Sequence, residues 1–111
     1  MSEQIVRVLR LEIFSKRAKK LFTEAEIEEL AKYLSQNPEK GDVIPGMKGL
    51  RKLRWSLGNQ GKRGGSRVIY YYHNPESLIL LLSAYAKSQQ EDMDATEKKM
   101  LKAILEQYFE E

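Results

Sequence analysis

Seven of the cations in this 111-residue chain share one stretch. Lys48, Arg51, Lys52, Arg54, Lys62, Arg63 and Arg67 lie between Gly41 and Pro75, where Asp42 is the only acid. The remainder holds twelve basic and fifteen acidic residues, so an acidic frame surrounds a basic centre. Positive charge gathered in this way is the footprint of a phosphate-bearing partner; a solvated basic face is the alternative reading. Within LRKLRWS, Lys52 and Arg54 stand two apart, which on a strand puts both on one face with Leu53 and Trp55 opposite. Arg67 opens the next apolar run, beyond the glycine-rich LGNQGKRGGS. In an antiparallel meander those ends are neighbours. Like charges brought together repel, and an incoming phosphodiester relieves that cost. Pairing of Arg54 and Arg67 with Glu12, or with a C-terminal acid such as Asp92, would relieve it too.

The chemistry open to such a cluster is phosphoryl transfer on RNA. The 2′-hydroxyl is a built-in nucleophile that attacks the adjacent phosphate in line. An enzyme adds a base for its proton, cations for charge developing on phosphorus-bound oxygens, and an acid for the leaving 5′-oxygen. Arginine offers bidentate phosphate contacts but no ordinary proton transfer. Lysine loses its proton more readily among other cations, which makes Lys52 the base candidate. No Asp/Glu cluster with metal-ligand spacing lies near the basic segment, so a metal-independent reaction without a cofactor is expected.

Other residues allow two readings. Gly58, Gly61, Gly64 and Gly65 would let the backbone approach a nucleic-acid strand around Lys62 and Arg63, or form a mobile loop with solubilising charges. The phosphate-loop pattern G-x-x-x-x-G-K-[ST] is not matched. Tyr71 shares a strand face with Arg67 and is either core or a stacking platform for a base. Trp55 is expected in the core. A lone His73 in a turn reads as surface, and the absence of cysteine excludes thiolate nucleophiles, disulfides and zinc fingers.

The supporting elements follow from pattern. Ile5–Phe14 is a strand by composition, and Ser15 caps a short basic helix over 16–22. Thr23 and Glu26 form a capping box, with Phe22 and Ile27 as a hydrophobic staple. Ile27, Leu30, Ala31 and Leu34 then repeat at helical spacing until Asn37-Pro38 stops the helix. Residues 41–49 are a loop, and 50–56, 67–73 and 78–87 are strands. Asp94 and Glu97 open a last helix to about Phe109 with an apolar stripe of Met100, Leu101, Ile104, Leu105 and Tyr108. The order β-α-α-β-β-β-α gives an α+β fold: a mostly antiparallel four-stranded sheet with an N-terminal helical hairpin and a C-terminal helix, the helices on one side. The length suits one domain, residues 1–111. The longest apolar run, Leu78–Leu82, is too short to span a bilayer, and no secretory leader is evident, so a soluble cytoplasmic protein with no membrane partner is expected.

Three blocks together resemble a known family. Gly49-Leu50-Arg51-Lys52-Leu53-Arg54-Trp55, Gly61–Tyr71 and Leu81-Leu82-Ser83-Ala84-Tyr85-Ala86-Lys87-Ser88 are similar to the HigB-like branch of the RelE/ParE toxin superfamily, and the element order matches. The resemblance implies a bacterial toxin of a type II toxin–antitoxin pair that cleaves mRNA in the ribosomal A site. The products would be a 2′,3′-cyclic phosphate and a 5′-hydroxyl. It also implies neutralisation by a cognate antitoxin, a helix-turn-helix DNA-binding protein by analogy with HigB-type pairs. The family's paired basic positions fall on Lys52 and Arg54, its third-strand arginine on Arg67, and its basic position after the fourth strand on Lys87, or on Ser88 one residue later. Arg51, Lys62, Arg63 and Tyr71 join as RNA-contact candidates. A C-terminal tyrosine that acts on the nucleophile in RelE has no clear match; Asp92 and Asp94 stand nearby. The alternatives are a ParE-like inhibitor of gyrase that acts by binding, and a degenerate member that binds only antitoxin or nucleic acid.

Overall fold

The computed structural model describes residues 5–55, 65–90 and 92–109. Strand β1 (Arg7–Arg10) leads into α1 (Glu12–Ala18) and α2 (Glu24–Gln36). There follow β2 (Asp42–Val43), β3 (Arg51–Trp55), β4 (Ser66–His73), a 3₁₀ turn (Asn74–Glu76), β5 (Leu78–Ala86) and α3 (Ala95–Phe109). The expected α+β class holds. The sheet, however, has five strands in the order β1-β5-β4-β3-β2, with β1 parallel to β5 and the other pairs antiparallel. The fifth strand comes from the stretch expected to be all loop, where Asp42 and Val43 pair with Lys52 and Arg51.

The N-terminal strand is shorter than its composition implies. Phe14 and Ala18, four residues apart, are both fully buried and belong to one face of α1, which packs on β5. That helical spacing outweighs the β-branched content, so the helix begins at Glu12 and Ser15 lies inside it. The capping box of α2 forms as expected. The Glu26 N–H donates to Thr23 Oγ1 at 3.1 Å, and the Thr23 N–H donates to Glu26 Oε1 at 2.9 Å. Only half of the second box forms. The Glu97 N–H donates to Asp94 Oδ1 at 2.8 Å, while the Glu97 carboxylate is taken by Arg17 and Ser83 instead.

Helices cover both faces of the sheet, not one. Phe14, Ala18, Phe22, Ile27, Leu30 and Leu34 from α1, α2 and their link pack on Leu53, Val68, Tyr70, Ile79, Leu81 and Ala84. On the opposite face Leu101 and Leu105 of α3 pack on Ile69, Leu80, Leu82 and Tyr85. β5 is buried along its length because it is clad twice, which explains its unbroken apolar run. Among the described residues no helix is long and apolar enough to cross a membrane.

Tyr70 locks the edge of this sheet. Its ring is fully buried, its hydroxyl accepts from the Gly41 N–H at 2.8 Å, and it donates to the Pro38 carbonyl at 2.8 Å. A Cβ at Gly41 would lie 2.8 Å from that ring, so only glycine admits the approach. Tyr70→Phe leaves two polar backbone groups without their partner and is expected to cost about 1–3 kcal/mol, read as a lower urea midpoint with unchanged slope.

Candidate nucleic-acid interface and catalytic face

Strand register brings the expected cations together on the face covered by α3. Arg54 and Arg67 are direct partners across β3 and β4, and Arg67 is in turn the partner of Tyr85 on β5. The next row joins Lys52, Ile69 and Ser83. Tyr85 reaches this face because β5 carries a bulge. Ile69 pairs with Ser83 while Tyr70 pairs with Leu81, which leaves Leu82 as the extra residue. Before it Ile79 and Leu81 face α1 and α2; beyond it Ala84 takes that side, and Ser83 and Tyr85 turn toward α3. Bulges re-aim side chains in this way and recur beside active sites.

Asp92 stands at the rim of the rows. Its Oδ1 accepts from the Met93 N–H at 2.8 Å and from the Tyr85 hydroxyl at 3.4 Å. Lys52 Nζ lies 3.5 Å from Oδ1, and Lys98 Nζ lies 3.7 Å from Oδ2. Partial burial works against ionisation of Asp92. The Met93 N–H and the two ammonium groups outweigh it and hold the pKa below the ordinary carboxylate value. Tyr85 moves the other way: burial, then the charge and hydrogen bond of Asp92, push its phenol up to about 12. Arg67 acts against that rise, which places its charge close to the phenol. The site thus pairs a stable carboxylate with a stable phenol. Subtracting the alkaline absorbance titration of Tyr85→Phe from that of the wild type, both read in a pH jump faster than unfolding, should isolate a step near pH 12. A step near pH 10 would refute the burial argument.

The remaining expected residues divide. Arg54 is exposed and forms no ion pair among the described residues. Lys87, one position past β5, donates its N–H to the Gly65 carbonyl at 3.1 Å, so it sits beside the start of β4. Arg51 leaves the set of RNA contacts. Alternation turns it to the face opposite Lys52, where its guanidinium donates to the carbonyls of Glu39 at 3.1 Å and Gly41 at 2.7 Å. Tyr71 leaves it too. Its ring packs 5.2 Å from Phe109 and 6.0 Å from His73, over Gly49, and is occupied by core contacts. Trp55 is half-buried against Tyr33, with ring centroids 5.2 Å apart. Lys62 and Arg63 lie outside the described residues. Among the described residues no group of three or more His, Asp or Glu could hold a metal ion.

Sequence reasoning missed Tyr85 and the central place of Asp92. Neither the bulge nor the loop that returns Asp92 to β3 has a local signature. The premise for Lys52 as base also changes, because its near charged neighbour is a carboxylate, not a ring of cations.

This α+β fold has solved counterparts. An arginine-to-alanine double variant of the E. coli toxin RelE in the free state is 16% identical, with a TM-score of 0.56 over 79% of this chain and 90% of that one. A conserved hypothetical protein of Helicobacter pylori is 15% identical, with a TM-score of 0.55 over 77% and 98%. The intact E. coli RelBE toxin–antitoxin complex gives 16% identity and a TM-score of 0.50 over 73% and 95%. These likenesses define the RelE-like fold. The family model for the RelE toxin of the RelE/RelB toxin–antitoxin system matches residues 6–111. The chain belongs to that family, and is a toxin of a type II toxin–antitoxin pair.

Proposed function

We propose that this toxin is a ribosome-dependent mRNA endonuclease that uses the RNA 2′-hydroxyl as nucleophile and draws its charge stabilisation from Arg54 and Arg67, not from a metal. The observation that carries the reading is the row Arg54–Arg67–Tyr85 with Asp92 at its rim. The scissile phosphate lies on the two guanidinium groups, which are fixed donors for charge that grows on the phosphoryl oxygens. The Asp92 carboxylate, a weak base held ionised in the resting enzyme and oriented by Tyr85, accepts the 2′-hydroxyl proton. As the 2′-oxygen bonds to phosphorus, the bond to the 5′-oxygen breaks and that oxygen takes a proton from the Lys52 ammonium. Asp92 then returns its proton to Lys52 across their 3.5 Å contact, so the pair resets itself. The products are a 2′,3′-cyclic phosphate and a 5′-hydroxyl. Lys87, beside the start of β4, adds positive charge for the flanking backbone.

The substrate in this reading is mRNA in the ribosomal A site, in the bacterial cytoplasm. A helix-turn-helix DNA-binding antitoxin neutralises the toxin. The test is to map mRNA ends after induced expression without antitoxin. Cuts inside translated frames, bearing 5′-hydroxyl ends and lost when initiation is blocked, are the expected result. Intact mRNA with broken DNA would move the assignment to gyrase inhibition, and harmless expression would make this an inactive member.

A further inference from the structure

β5 outruns its neighbour. β1 pairs only with Leu78–Leu81, so among the described residues no strand pairs with residues 82–86 on that side. Along this free edge lies a cavity of about 330 Å³, at the low end of the range for small-ligand sites. Arg17, Lys20 and Leu21 form its wall on the side of α1, Ala84–Ala86 its floor, and Gln89 and Gln90 its far end.

We propose that this cavity is a nucleotide subsite, which takes the base next to the phosphate that is cut and sets sequence preference around the cut. The inference rests on the ribonuclease reading and deepens it. Tyr85 belongs both to the cavity and to the row of Arg67 and Arg54. Adjacent strands are spaced about 4.8 Å, so the β5 backbone at Tyr85, which lines the cavity, stands about 10 Å across the sheet from Arg54, within reach of a neighbouring nucleotide. Its chemistry favours a base over a second phosphate. Of its two cations Arg17 is already engaged by Glu97, which leaves Lys20 for the backbone. Leu21 and Ala86, both half-buried, offer apolar surface for a base plane. The free edge of β5 presents backbone donors and acceptors, and Gln89 adds an amide that bonds to nothing else among the described residues. Gln90 donates to the Asp92 carbonyl at 3.1 Å, and so couples the cavity to the proposed base.

The experiment is a titration of the ¹⁵N-labelled full chain with four uncleavable 2′-O-methyl trinucleotides, each of a single base. Amides of Ala84, Ala86 and Gln89 should shift, and the best base should bind about fivefold or more tightly than the worst. Lys20→Ala/Gln89→Ala changes two exposed residues and should level that preference; Gln89→Glu keeps the shape, removes the amide donor and should change the preferred base. Shifts confined to β3 and β4, no binding, or an unchanged preference in both variants would overturn the subsite. None of these readings requires cleavage. A chain that fails to cut mRNA yet binds here would sink the ribonuclease reading alone.

Discussion

Arg67→Ala is expected to lower mRNA cleavage by about 10²–10³-fold, the usual effect of deleting one preorganised donor aimed at developing oxyanion charge, and to abolish growth inhibition. The reasoning is geometric. Arg67 occupies the middle strand of the row, between Arg54 on β3 and Tyr85 on β5. A phosphate seated there meets a planar fork from each arginine, and its equatorial oxygens gain charge as the 2′-oxygen attacks. Arg67→Lys keeps the charge but loses the fork, so it should recover only part of the rate. Arg54→Ala should show a comparable loss, and its exposed side chain makes it the cleaner control for folding. The measurement is single-turnover cleavage of mRNA on programmed ribosomes, beside urea midpoints of each variant. Wild-type cleavage by a folded Arg67→Ala protein would remove the phosphate site from the mechanism.

The legible features were those set by neighbours in sequence. Thr23 and Glu26 cap α2 because the box needs only one helical turn, and Lys52 and Arg54 share a face because strand periodicity is two. The same periodicity, with the meander, set Arg54 opposite Arg67. What escaped were features decided by distant contacts. β2 exists because Asp42 and Val43 find the open edge of β3. α1 starts early because Phe14 and Ala18 bury together against β5. Tyr85 is in the site only because one added residue at Leu82 reverses the faces of the strand beyond it. Arg51 illustrates the limit of counting charge: it belongs to the basic stretch, yet its guanidinium is spent on two loop carbonyls.

Glu97 is the other residue that local pattern misassigned, and its true role carries a large effect on stability. Its carboxylate is nearly buried, with 8% of the side chain exposed, and is engaged by Arg17 and Ser83; the Arg17 side chain is 37% exposed. This ion pair passes around the free edge of β5 and ties α1 on one face to α3 on the other. Its two ends are therefore not equivalent. Arg17→Met strands a carboxylate in a site with only a serine hydroxyl to satisfy it, which is expected to cost about 3 kcal/mol. Glu97→Gln removes the buried charge and lets Arg17 turn toward water, for about 1 kcal/mol. The double variant should be more stable than Arg17→Met alone, a sign that separates stranded charge from lost packing. Urea unfolding of the three variants measures all of this, and equal costs at the two ends would refute the asymmetry. Because α3 also carries Lys98 against Asp92, loosening this tie should reduce cleavage as well, through Asp92 and without any change to the phosphate-binding arginines.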